Sequence, residues 1–439
     1  MRSSYIFSLI LFFTLVFTVN NTFSSPLSLE AAAGKTVSSI SISGNKKTKD
    51  KIILRELLID ENQPLNIENA QTSLQRLKNL RIFERVDFVY VENADQTIDV
   101  QITIKDRWTI IPIIKVGGGG GSTFYTVGTY DVNTMGKYLE TGGQYQNVNG
   151  KNGGVVWFRN PRFLNKRLLL GMDIWHFMLN QPTYDLNGDL YGTYNNTKNR
   201  IHLFTKFEIN TGLFFGAGLD IVEDKFDDFG LTDEQEIANN KVSFELPEDT
   251  KQNFVELNGQ LGELNYDQYL VSGQQTNIDM RITQKNLGSD DNSVEVVGKF
   301  TYFARFPHRQ NIGINVVAGH SNTRFLQNYF FLGGLSEVRG YVDRRFKGTN
   351  FWRSSVEYRI PSYRSKYFIL QHVVFTDFGQ ISNDAANLLS NKSNEFTSVG
   401  TGLRFIAPKI YRFNARLDLA QTFGDTDNLD FSFGLQQFF

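Results

Sequence analysis

From Thr109 to the carboxyl terminus, apolar and polar residues alternate in about sixteen segments, the period of two that sends successive side chains to opposite faces of a strand. Segment starts fall near Ile110, Thr123, Lys137, Gly154, Arg167 and Arg200, and continue at similar spacing to Leu429. In the tenth segment Val294, Val296, Phe300, Tyr302, Ala304 and Phe306 share one face, and Glu295, Lys299, Thr301 and Arg305 the other. The twelfth repeats this, with Trp352, Val356, Tyr358 and Ile360 opposite Arg353, Ser355, Glu357 and Arg359. One face suits lipid and the other water. The fold class expected for 109–439 is therefore an all-β, antiparallel transmembrane barrel of sixteen strands.

The connections are sorted by length. After even strands they are short and often basic ("NTMGK", "PRFLNKR", "PHRQN", "APKIYR"); after odd strands they are mostly long and polar ("NQPTYDLNGDLYGTYNNTKN", "EDKFDDFGLTDEQEIANN"). A soluble sandwich has no reason to sort its loops, whereas an outer-membrane barrel has short periplasmic turns and long outer loops.

Residues 35–106 follow a different pattern, β-α-α-β-β. "VSSISISG" alternates as a strand and ends at Gly44. "DKIILRELL" is expected to carry Ile53, Leu54, Leu57 and Leu58 on one helical face, and Asn66 to cap a second helix bearing Ala70, Leu74 and Leu77. "ERVDFVYVE" and "TIDVQITIK" return to alternation, so the two helices cover one face of a small sheet. The lysines at 46, 47, 49 and 51 are expected as a solvated helix start.

The first 25 residues, one Arg2 and an apolar run from Tyr5 to Val19, have the form of a secretory signal peptide, with cleavage near Ser24 or as late as Ala33. The chain has no cysteine, which excludes a lipoprotein and a disulfide scaffold. Its 45 basic and 46 acidic residues nearly cancel, so no field points to nucleic acid. With 38 Phe, 18 Tyr and 37 Gly, the composition is that of a β-barrel.

One stretch between the eleventh and twelfth segments obeys neither period: "FFLGGLSEVRGY", Phe330 to Tyr341, sets Arg339 among glycines and aromatic rings. Val338-Arg339-Gly340-Tyr341 in this connection, "FTDFG" (Phe375 to Gly379), "GTGLRFIAP" and the domain phrases "ISGNKKTKDKIILREL" and "LKNLRIFERVDFVYVE" together resemble the outer-membrane insertase and translocase superfamily. These are bacterial surface antigen barrels preceded by POTRA domains, here a single one. The resemblance covers nearly the whole mature chain. It implies that the loop folds into the lumen and that Arg339 meets acids on strands twelve and thirteen, Glu357 and Asp377. It also places Phe375 and Gly379 in the strand-thirteen motif. The period-two reading independently puts Glu357 on the water face. A lone arginine in a lumen is costly unless carboxylates meet it, and a planar guanidinium can hold two.

The resemblance further implies an outer-membrane location with the POTRA domain in the periplasm, and insertion or translocation of unfolded outer-membrane or secreted polypeptides without a cofactor. Accessory lipoproteins and outer-membrane lipid are the remaining partners. The run Gly117, Gly118, Gly119, Gly120 and Gly121 weakens the first strand, which must close on the last, ending at Phe439; the resemblance implies that this seam opens sideways to let a client strand pair with the freed edge. No Lys-Ser/Thr follows these glycines, so they are not a phosphate-binding loop. Histidines 176, 202, 308, 320 and 372 have no metal spacing and no G-x-S-x-G is present, so the chain is not read as an enzyme. The rival functions are a solute- or lipid-conducting pore that has kept the architecture, and a surface receptor using the acidic stretch Glu223 to Glu236.

Overall fold

The computed structural model describes residues 26–119, 122–148, 150–185, 189–229, 231–388, 394–424 and 428–435. The proposed signal peptide, Gly120, Gly121 and Phe439 lie outside them.

The amino-terminal domain begins with a short helix, Leu29–Ala32, capped by the Ser28 hydroxyl, with Leu27 bridged to Tyr90. Strand Val37–Ser43, helices Asp50–Leu54 and Ile67–Asn79, and strands Phe83–Glu92 and Ile98–Asp106 follow. The last strand is central: it pairs in parallel with the first and antiparallel with Phe83–Glu92. Ile98, Val100, Ile102 and Ile104 are all buried against Ile53, Ala70 and Leu77. Asn66 caps its helix by accepting from the Asn69 N–H. Helix Asp50–Leu54 is shorter than its pattern suggests. It buries Ile52 and Ile53, while Leu54 and Leu58 are exposed, because only five residues wind helically before the chain turns at Arg55.

Sixteen strands form one antiparallel sheet in sequence order. Strand ten, Ser293–Phe306, exposes Phe300, Tyr302 and Phe306 and buries Thr301 and Phe303. Strand seven, Leu213–Asp227, exposes Phe215, Leu219 and Ile221 and buries Asp220 and Val222. These outward bands face lipid, where a strand of about 9–11 residues suffices to span.

Strand three starts at Glu140, not near Lys137, because Lys137 belongs to the turn around Thr134–Gly136. The polar stretch after strand five is not a long loop. Strand five runs Leu168–Tyr184 and strand six Leu190–Asn210, so strand six begins ten residues before Arg200. Rich in Thr, Asn and Tyr, these strands continue beyond the bilayer, where the lipid-facing pattern that marks a strand is no longer imposed. The acidic stretch after strand seven likewise contains a helix, Asp233–Lys241, with a capping box between Thr232 and Gln235. The sheet ends on strand one (Ile110–Gly119) and strand sixteen (Leu429–Leu435), and no ladder joins these two among the described residues. Just before strand one, Trp108 bridges Ile410 in the turn between strands fourteen and fifteen.

The small domain is docked on the short turns. Glu56, 1% exposed, accepts from Arg162 Nε at 2.6 Å and Nη2 at 2.9 Å. Lys47 donates to Asp131 and Thr109, so this lysine is turned into the interface instead of into solvent. Gly136, at φ +69°, lets the backbone of Lys47 pass so close that any Cβ would collide with its carbonyl. Near the other side, Asn79 donates to Asn265 and accepts from the Tyr266 N–H. Replacing Glu56 by Ala strands Arg162 in a buried interface, a change worth about 3–5 kcal/mol. The expected outcome is faster protease cleavage of the 106–109 linker with the barrel intact; unchanged cleavage would show that this pair does not hold the domain.

Candidate functional site

Between strands eleven (Gln310–Ser321) and twelve (Asn350–Arg364) the chain turns inward. A short hairpin pairs Phe330–Leu332 with Phe346–Gly348, and its tip carries the turn Gly334–Glu337 and then Val338 to Tyr341. Gly333 (φ +130°), Gly334 (φ +70°) and Gly340 (φ +90°) occupy conformations that other residues rarely adopt. At Gly340 a Cβ would also press on Thr422 and Ala420 of strand fifteen (Asn414–Phe423).

The loop delivers Arg339 to the inner wall with no measurable exposure. Its Nε and Nη2 donate to the two oxygens of Asp377 at 2.7 and 2.6 Å, and its own backbone N–H donates to Asp377 Oδ2 at 3.2 Å. Nη1 donates to Glu357 Oε1 at 2.5 Å. The guanidinium lies 3.5 Å above the centre of the Phe375 ring, a favourable site for a cation over the π face. Phe375, Asp377 and Gly379 alternate inward on strand thirteen (Ile369–Ser382), as a two-residue period requires. A Cβ at Gly379 would collide with the Trp352 carbonyl, and one at Gly400 with the Phe375 ring. Val338 is fully buried, and the Tyr341 hydroxyl donates to the carbonyls of Thr397 and Phe423 on strands fourteen (Asn394–Ile406) and fifteen.

The trio expected from sequence is part of a larger network. Glu357 also accepts from Arg359 Nε at 2.8 Å and Arg404 Nη2 at 3.1 Å, and Arg404 Nη1 donates to Asp418 at 2.6 Å. Two signals pointed to these residues: Arg359 shares the water face of strand twelve with Glu357, and Arg404 lies in "GTGLRFIAP". Asp418, in "NARLDLAQTF", carried only its parity. The second glycine of that phrase has a local purpose, since a Cβ at Gly402 would collide with Asp418 Oδ1 and crowd Arg404.

The remaining predicted positions lie elsewhere. Gly117, Gly118 and Gly119 are in strand one, paired with Phe124, Thr123 and Ser122 of strand two (Ser122–Asp131). A cavity of about 930 Å³ runs along this strand, bordered by Ile111, Ile113, Tyr411 and, from strand sixteen, Leu435. Among the described residues no cluster of three or more His, Asp or Glu side chains could hold a metal ion. Gly402→Ala, by forcing Asp418 off Arg404, should lower the temperature at which the folded band is lost in heat-modifiability gels. Gly298→Ala, where a Cβ meets nothing within 4 Å, should not change it. Equal midpoints in the two variants would contradict this packing.

Residues 133–439 match the Omp85 superfamily domain, and residues 35–107 match the surface antigen variable number repeat, a POTRA domain. Two curated relatives are both described as outer membrane protein assembly factor BamA. That of Nitratidesulfovibrio vulgaris is 28% identical over 145 residues, 32% of this chain and 18% of the relative. That of Neorickettsia risticii is 36% identical over 86 residues, 19% of this chain and 11% of the relative. The matched stretch thus spans less than a fifth of either relative. Among solved structures, BamA from Haemophilus ducreyi lacking POTRA domains 1–3 aligns at TM-score 0.53 and 17% identity, over 92% of this chain and 84% of that one. CdiB from Escherichia coli aligns at 0.62 and 12%, over 94% and 78% respectively. These two likenesses establish the fold. The chain belongs to the Omp85 superfamily, as an outer-membrane barrel of sixteen strands with a single POTRA domain on its periplasmic side.

Proposed function

We propose that this chain inserts β-barrel proteins into, or translocates polypeptides across, the outer membrane, with Arg339 as the latch of an inward loop. The observation that carries this reading is the reach of that loop. It is locked to strands twelve and thirteen through Glu357 and Asp377, and it also touches the end of the sheet. Arg416 of strand fifteen donates to the Leu335 carbonyl at 2.5 Å, and Gly434 of strand sixteen makes room for the Leu335 side chain. The loop therefore braces the wall at the edge where a client strand would enter.

The seam has the physical character such entry needs. Strand one is weakened by Gly117, Gly118 and Gly119, and its outer edge carries no ladder among the described residues. An unpaired edge in lipid is expensive, at several kcal/mol per group, so a client strand that pairs with it is strongly favoured. The POTRA sheet offers a further edge for an unfolded client on the periplasmic side, with accessory lipoproteins as additional partners there. Client folding and burial in lipid supply the driving force, and no cofactor is required.

Depleting the protein should lower the outer-membrane level of a defined set of barrels or secreted proteins; an unchanged outer-membrane proteome would sink the assignment. The latch is tested separately. Asp377 meets no cation but Arg339 among the described residues, whereas Glu357 keeps Arg359 and Arg404. Arg339→Ala should therefore leave an assembled barrel weakened by about 3–5 kcal/mol. Adding Asp377→Ala should restore much of its thermal resistance, because the stranded carboxylate is gone, while client assembly remains impaired. Full activity in the double variant would rule out the latch.

A further inference from the structure

At the periplasmic floor of the barrel, away from the latch, lies a cavity of about 440 Å³ whose charged lining is entirely cationic. Arg81 lies two residues beyond helix Ile67–Asn79, Arg107 in the linker, Arg412 in the turn before strand fifteen and Lys299 on strand ten. Among the described residues no carboxylate lines it; Glu84, Asp87 and Asp267 line a neighbouring cleft that Arg81 and Arg107 also border. Several other lumen cations are matched with acids: Arg200 and Arg281 with Asp220, Arg167 with Glu208, Arg404 with Asp418. The floor departs from that pattern.

A second, independent observation points to a ligand. Asn414, 6% exposed, lines this cavity with neither Nδ2 nor Oδ1 hydrogen-bonded, and the Nε atoms of Arg81 and Arg107 are buried without a partner. Such groups are costly to leave unpaired in a finished interior. The backbone also makes a concession to these side chains. Arg81 (φ +61°) and Arg412 (φ +48°) occupy the left-handed region, where glycine or asparagine would be favoured. Burial, followed by repulsion from Arg412, lowers the pKa of Arg81; burial, followed by repulsion from Arg81, pushes Arg107 down to about 10. An anion between them would relieve both. The rest of the lining mixes apolar walls, Tyr266, over which Arg81 sits at 4.2 Å, with Phe303 and Ile369, and polar side chains, Gln268, Gln275, Asn277 and Thr301. The space is larger than one small oxyanion needs, and its apolar walls suit side chains on either side of a charge.

We propose that this cavity is a client subsite that holds the carboxylate of an acidic residue flanked by aromatic side chains, on an extended polypeptide entering the lumen. It rests on the polypeptide-handling reading above and names what part of the client is recognised. The test uses the purified full chain in detergent and two fluorescein-labelled peptides that differ only in a Phe-Asp-Phe or Phe-Asn-Phe core, read by fluorescence anisotropy. The Asp peptide should bind about tenfold more tightly, and Arg81→Gln with Arg107→Gln should abolish that preference.

Equal affinity for the two peptides would overturn the proposal, as would a preference that survives in the double variant. Inorganic phosphate that displaces the Asp peptide at the peptide's own concentration would also overturn it, by marking a general anion site. Should the double variant fail to assemble, Lys299→Gln with Asn414→Ala is measured in the same way, with the same expected loss. The assay requires no insertion activity. A missing Asp preference alongside a normal depletion phenotype sinks only the subsite, and a retained preference with an unchanged proteome sinks only the proposed function.

Discussion

Arg339 carries a full positive charge at a position from which water is excluded, and most of the loop's peculiarities follow from satisfying it. A guanidinium has five donors in one plane, so it can be buried only where oxygens lie around that plane and something tolerates its face. Asp377 supplies a bidentate edge, Glu357 a second direction, and Phe375 the face. Each of these in turn needs space. Gly400 leaves room for the Phe375 ring, Gly379 lets strand thirteen pass under the Trp352 carbonyl, and Gly340 lets the loop backbone lie against Ala420 and Thr422. The glycines of this region are the steric complement of one arginine.

The acids are not equivalent. Glu357 is shared by Arg339, Arg359 and Arg404, and Arg404 is held by Asp418. Asp377 depends on Arg339 and on the backbone N–H of the same residue. Withdrawal of the loop would thus leave strand twelve neutralised from its own wall and strand thirteen with a bare carboxylate. That asymmetry favours the inward position strongly, while leaving most of the wall intact if the loop moves. Removing one partner of a buried pair is what costs, whereas the net worth of the assembled pair is modest. In the proposed function, a latch with this property would suit a wall that rearranges near it.

Much of this was legible in the sequence because strands in a membrane wall obey a two-residue period strictly. Charged side chains on the lipid face are costly, so parity assigns Glu357 and Arg359 to the interior, while Asp377 is marked by the motif in "FTDFG". The same rule fails where lipid is absent. Tyr194, Asn195 and Asn196, all buried, belong to a strand that reads as a polar loop, because above the bilayer both faces may be polar. Leu54 and Leu58 were misplaced for another reason: helical periodicity marks a face, but it does not show that the helix stops after five residues. Lys47 and Glu56 gave no local sign of their partners. Asp131 and Arg162 lie some eighty and one hundred residues away, and only the docking of the two domains brings them together.

The wall itself is unevenly held. Strands five and six are 17 and 21 residues long and pair along nearly their whole shared length. Strand one has 10 residues, three of them glycines at the end of its ladder, and the described part of strand sixteen has 7. The cost of parting two strands in lipid scales with the backbone groups left unpaired, so the sheet's two ends are where rearrangement is least opposed. The inward loop spans the same gradient. One part of it, Arg345, donates to the Asp185 carbonyl at the end of strand five, and another, Leu335, packs at strand sixteen. A single loop thus ties the strongest part of the wall to the weakest. In the proposed function, motion of strand sixteen would reach the residues that position Arg339 through Leu335, which would make the latch and the seam one mechanical unit.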